Sequence, residues 1–115
     1  MKQTDKQRLE KIIDYADKLM KYLHDNDIDR KVLMTEYSVQ WAVTTPLYNI
    51  GENVYHLSKE LKEQHGEIPW MMISGLRHRL VHDYDGTNWS IIVEVVFSEL
   101  PEFTEQIREI YSNLK

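Results

Sequence analysis

Ile68-Pro69-Trp70-Met71-Met72-Ile73-Ser74-Gly75-Leu76-Arg77-His78-Arg79-Leu80-Val81-His82-Asp83-Tyr84 is the stretch from which the chain is best read. Pro69 suits the first position of a helix, where the N–H it lacks would be unpaired anyway. At about 100° per residue, Trp70, Ile73, Leu80, Val81 and Tyr84 gather on one apolar stripe, and Arg77 falls in its middle. A guanidinium keeps its charge in any protein environment, so on a packed face it needs a carboxylate, carbonyls or an anionic ligand. Arg77 and His82 point about 140° apart on an ideal helix. For both to reach one phosphate, the helix must distort near its end or the site must draw on two chains. Asp85-Gly86 closes the segment with a turn signal.

Outward from that helix, the 115 residues suit one domain, residues 1–115, large enough for a core without staples. The chain has no cysteine, which excludes a disulfide framework, a thiolate metal site and a cysteine nucleophile. The N-terminus leads straight into a charged helix, with neither a signal-like apolar stretch nor a membrane span, so a cytoplasmic protein with no membrane partner is expected. The net charge of −5 opposes indiscriminate nucleic-acid binding. Arg77, Arg79 and two histidines still leave a local basic group, and the acidic remainder could face a basic partner protein.

Thr4 and Gln7 fit a capping box for a helix over 5–24, whose stripe is Leu9, Ile12, Ile13, Ala16, Leu19, Met20 and Leu23. His24-Asp25-Asn26-Asp27 ends it, with His24 near the negative end of the helix dipole. Asp29 caps a second helix predicted to run through about residue 63, with Leu33, Tyr37, Trp41, Thr44, Tyr48, Gly51, Tyr55 and Ser58 on one face. Pro46 should kink or divide that helix at the carbonyl of Ala42. Gly51 signals close helix–helix approach, since a mid-helix glycine costs about 1 kcal/mol against alanine. Glu52 beside it is either an ion-pair partner that orients Arg77 or an exposed helical glutamate. A loop over 64–67 follows, with Gly66 as the helix stop and His65 exposed. The β-branched run 89–97 favours a strand by propensity, but a lone strand has nothing to pair with, and its apolar residues also fit helical spacing. It is read as a helix. Pro101 starts or kinks the last one, whose stripe is Phe103, Ile107, Ile110, Tyr111 and Leu114. The sum is an all-α, up-and-down bundle of four to five helices. It should pair as a homodimer around the motif helix, because exposed Trp70, Ile73 and Tyr84 would leave a costly apolar patch on a monomer.

Arg77-His78-x-x-x-His82-Asp83-Tyr84 reads as R-x4-H-x-Y. With Ile50-Gly51-Glu52 upstream and Ile68-Pro69-Trp70 before the arginine, it resembles the signature of HEPN-domain ribonucleases, in particular HepT-like toxins of toxin–antitoxin pairs. The resemblance extends over residues 5–114, and the ordered set of three motifs is far more specific than R-x4-H alone. It implies a dimeric RNA endonuclease with a composite cleft, Arg77 binding the phosphate and His82 acting as acid and base. Cleavage would leave 2′,3′-cyclic phosphate and 5′-hydroxyl ends. Neither a metal nor a cofactor is called for. Histidine suits proton transfer near neutrality, and arginine suits charge growing on a phosphate. His78 holds a polar position most often filled by asparagine in that branch. Glu52, His78 and Asp83 are supporting candidates; Asp83 either restrains His82 or faces solvent. The resemblance also implies a nucleotidyltransferase antitoxin, with which a larger hetero-oligomer could form, that attaches AMP to Tyr84. A bulky anion there would occupy or repel the phosphate site. His78 and His82 have the i, i+4 spacing of a metal face, but the glutamate of H-E-x-x-H is missing and Arg79 disfavours a cation. Two other readings compete: a non-catalytic helical partner or substrate-binding subunit of a nucleotidyltransferase, and a purely structural bundle. The complete arginine–histidine–tyrosine set favours the first reading over the second, and Arg77 on an apolar stripe argues against the third.

Overall fold

The computed structural model describes residues 4–82 and 86–114, with the side chains of Val81 and His82 also outside the description. Helix α1 spans Asp5–Asp25. Its capping box is formed: the Thr4 N–H donates to Gln7 Oε1 at 2.9 Å and the Gln7 N–H to Thr4 Oγ1 at 3.1 Å. Two of the open N-terminal groups are thereby satisfied. Leu9, Ile12, Ala16, Leu19 and Leu23 are buried as their spacing predicts, while Ile13 and Met20 are only partly buried against the core.

The helix predicted to continue from Asp29 to about residue 63 is three helices. These are α2 (Arg30–Thr35), α3 (Tyr37–Tyr55) and α4 (Lys59–Gln64). Asp29 caps α2 through the Val32 N–H at 2.9 Å. The chain turns extended at Glu36, with φ −99° and ψ 107°, and Gln40 Nε2 reaches back to the Leu33 and Met34 carbonyls at 2.9 and 3.1 Å. Pro46 does not divide α3. The carbonyl it cannot bond belongs to Ala42, an exposed residue, where an acceptor left without an N–H costs less than in a buried segment. The second break falls at Leu57–Ser58. Ser58 Oγ caps α4 through Leu61 N–H at 3.2 Å, and Asp5 of α1 accepts from the Ser58 N–H and hydroxyl at 2.9 and 2.6 Å. A remote carboxylate thus fixes where α3 stops.

The motif segment is also interrupted. Helix α5 is Trp70–Ser74 and α6 is Leu76–His82, separated at Gly75. Asn88 caps α7 (Trp89–Glu94), so the β-branched run is helical as read. It passes through a π-helical turn at Val95–Glu99 into α8 (Leu100–Asn113). Pro101 explains the turn: it has no N–H for the Phe97 carbonyl, and the widened ladder directs the Leu100 N–H to Val95 instead.

The architecture is an all-α bundle, with no strand among the described residues. Helix α3 lies at its centre, packed by α1 on one side and by α5 and α6 on another, while α8 closes on α1. Trp70 is buried edge-on to Phe103 at 6.0 Å, and its indole N–H donates to the His65 and Lys62 carbonyls. Trp70 and Ile73, at 8% and 0% exposure, are therefore core residues of a single chain. The apolar surface expected to drive pairing through them is spent internally. The exposed large side chains instead include Tyr37, Trp41 and Tyr55 along α3, at 65%, 58% and 51%, and Met71 and Met72 on α5. Among the described residues no helix is long and apolar enough to cross a membrane.

Candidate functional site

Gly51 positions the site. A Cβ built there would lie 2.9 Å from the Arg77 backbone nitrogen, 3.1 Å from the Ile73 carbonyl oxygen and 3.4 Å from Leu76 Cβ. Only a glycine lets α6 approach α3 this closely, as the sequence suggested. The contact sets the backbone of Arg77 beside the last turn of α3, and its side chain is received there by Glu52 and Tyr55.

Arg77 Nη1 is 3.8 Å from Glu52 Oε2, with both side chains about one-third exposed (34% and 31%). Its guanidinium carbon lies 3.8 Å from the centre of the Tyr55 ring, a cation–π contact. The other carboxylate oxygen of Glu52 meets His56 Nε2 at 2.9 Å. Glu52 Oε2 itself is buried and makes no hydrogen bond among the described residues. At 3.8 Å the arginine is an ion-pair partner too distant for a charge-assisted bond, which needs about 2.7–2.9 Å. The His56 ring stands edge-on to Tyr55 at 5.1 Å. Behind the cluster, Lys62 Nζ donates to the Tyr55 carbonyl at 3.1 Å. Burial lowers its ammonium below the ordinary lysine value, and Asp5 partly opposes that.

The structure thus brings together Glu52 and Arg77, two of the residues singled out from sequence. His78 is exposed on α6. His82 ends that helix, its side chain outside the description. Asp83 and Tyr84 lie outside the described residues, as does part of the turn read at Asp85-Gly86. Of the expected local basic group, Arg77 lies against α3, Arg79 lines a cleft of about 350 Å³ with Met71, Met72, Ile91, Glu94 and Glu99, and the side chain of His82 is outside the description. Tyr55 and His56 were missed as site residues. Their signal was present in the sequence, because residues three and four positions after Glu52 share its helix surface. Among the described residues, no three His, Asp or Glu side chains group as a metal site.

Chemically, the cluster presents a permanently charged guanidinium whose partners among the described residues, one ring and one carboxylate, leave most of its five donors unspent. It is a place for one phosphate, with an imidazole close by. Comparison with known proteins gives the family of the chain. The family described as Ribonuclease HepT-like matches residues 12–110. "Putative RNase TTE0752" of Caldanaerobacter subterraneus subsp. tengcongensis is 44% identical over 74 residues, 64% of this chain and 66% of that protein. "Putative RNase MJ0125" of Methanocaldococcus jannaschii is 27% identical over 104 residues, 90% of this chain and 88% of that protein. "Probable ribonuclease HepT" of Thermococcus cleftensis is 24% identical over 110 residues, 96% and 98% of the two chains. No solved structure matches. The chain belongs to the ribonuclease HepT-like family of helical proteins.

Proposed function

We propose that the protein is the toxin of a toxin–antitoxin pair, an endoribonuclease that cuts RNA in the cytoplasm without a metal or cofactor. The observation that carries this reading is the placement of Arg77. A cation on the packed side of α6 is held by one loose ion pair and one aromatic ring, five residues before His82, in a chain of this family. Arg77 binds the scissile phosphate and stabilises the charge that grows on it. His82 takes the proton of the 2′-hydroxyl or gives one to the leaving 5′-oxygen.

One chain supplies one arginine and one histidine of the motif, so the full set of base, acid and clamp requires a homodimer. Tyr55 borders Arg77 and is half exposed. A second copy covering that end of α3 brings two arginines into one cleft and removes apolar surface from water. His78, exposed beside Arg77, and Asp83, next to His82, support RNA and imidazole orientation. A partner nucleotidyltransferase neutralises the toxin by placing AMP on Tyr84, where its charge competes for Arg77.

The test is cleavage of several RNAs in EDTA by protein whose intact mass excludes AMP, with its oligomeric state measured by light scattering. Cleavage by a dimer, leaving 2′,3′-cyclic phosphate and 5′-hydroxyl ends, is expected. An unmodified dimer that cuts no RNA would instead be the non-catalytic helical partner of a nucleotidyltransferase, and a protein that remains monomeric at micromolar concentration contradicts the composite cleft.

A further inference from the structure

Glu52 is shared unequally. One oxygen meets His56 at 2.9 Å; the other, buried and without a hydrogen bond among the described residues, faces Arg77 at 3.8 Å. Arg77 is therefore held weakly enough to turn toward a phosphate, but its departure has a consequence. It leaves a carboxylate with a buried oxygen uncompensated, beside an incoming anion. Of the two groups that meet Glu52 among the described residues, the imidazole is the one able to take up a proton, since the guanidinium already carries its charge.

We propose that His56 is a positioning residue of this site, taking a proton from solvent to replace Arg77 as the counter-charge of Glu52 when the guanidinium turns to an RNA phosphate. The inference rests on the reading of Arg77 as the phosphate ligand. No covalent bond changes; one solvent proton moves to the imidazole, and the net charge around Glu52 is conserved. The groups facing His56 are compatible with this. On α3 they are Glu52 and the Tyr55 ring. Arg77 of α6 reaches it through Glu52. Lys62 of α4 is engaged by the Tyr55 carbonyl, and Asp5 of α1 is engaged by Ser58. His56, with 45% of its side chain exposed, has access to solvent for the proton.

Two measurements test it. In the first, the His56 imidazole resonance is followed by NMR between about pH 5 and about pH 8 in wild type, Arg77→Ala and Glu52→Gln, each shown to be folded by circular dichroism. Removing Arg77 should move the His56 titration to higher pH, because Glu52 then has the imidazole alone, and Glu52→Gln should move it to lower pH. Identical titrations in wild type and Arg77→Ala overturn the proposal. In the second, binding of a 2′-O-methyl RNA, which cannot be cut, is measured over the same range. His78 and His82 also titrate there, so the comparison is between variants. The gain in affinity on acidification should be roughly tenfold smaller in His56→Gln than in wild type, and that difference should vanish in a Glu52→Gln background. Equal pH dependence in wild type and His56→Gln refutes the exchange while leaving the ribonuclease standing. A wild type that binds no RNA, yet whose imidazole responds to Arg77→Ala, refutes the ribonuclease and leaves the pairing at Glu52 standing.

Discussion

Helix α3 is packed on two sides by opposite means. Against α1 the contact is made with large aliphatic side chains, Leu9, Ile12 and Leu19 meeting Val43, Leu47 and Ile50 in one core. Against α6 it is made by removing a side chain: Gly51 admits the Arg77 backbone, and a polar cluster occupies the rim. The first contact is adjustable, since neighbouring side chains relax around a change of volume. The second sets backbone against backbone and has no such freedom. The difference separates what stabilises the domain from what aims Arg77.

Four substitutions sharpen or break that contrast. Ile12→Ala, at a fully buried position of α1, should destabilise the domain most, by about 2–5 kcal/mol in urea unfolding, with cleavage per folded molecule unchanged. Gly51→Ala places a methyl 2.9 Å from the Arg77 nitrogen and 3.1 Å from the Ile73 oxygen, neither of which is a flexible side-chain end. It should cost about 1–3 kcal/mol and, unlike Ile12→Ala, abolish cleavage by the protein that remains folded. If both variants lose stability and activity in proportion, the two interfaces are not distinct in the way described. Glu52→Gln should change stability by about 1 kcal/mol or less, because the pair it breaks is one-third exposed, but lower cleavage roughly 10- to 100-fold by loosening Arg77. Unchanged stability and unchanged cleavage would refute the orienting role.

The smallest effect belongs to a surface pair that does not touch Glu52, the Arg30–Glu94 ion pair. A hydrogen bond from Arg30 holds the Glu94 carboxyl below the usual carboxylate range, and Ser98 adds to it. A carboxyl lowered in the folded state contributes stability that is complete above its unfolded value and lost as pH falls through the folded one. The difference in Tm between wild type and Glu94→Gln should therefore narrow on acidification from about pH 7 to about pH 3. A difference independent of pH contradicts the pairing.

Much of this was legible from spacing. The capping box at Thr4, the stripe of α1, the helical reading of 89–97 and the close approach at Gly51 are local or periodic features. The breaks were not. Helix α3 stops because Asp5, on another helix, holds Ser58, and no window around Ser58 contains that residue. Of the two outcomes expected at Pro46, a kink or a division, the division does not occur, and α3 continues through it. Before Pro101 the same missing N–H is accommodated differently, by a π-helical turn. Trp70 and Ile73 were read as surface because a stripe marks a packed face without naming what packs on it; here it is the chain's own core. At the site, Glu52 and Arg77 could be paired from sequence once glycine marked the approach. Tyr55 and His56 share the helix surface of Glu52 by spacing alone, but that spacing does not say that Arg77 is directed onto the same surface.

The most direct test of the central claim is cleavage of one RNA in EDTA by unmodified wild type, Arg77→Ala and His82→Ala, with folding checked in each. The account predicts that both variants fold and each loses at least about a hundredfold in rate. Either folded variant cutting at the wild-type rate would contradict it.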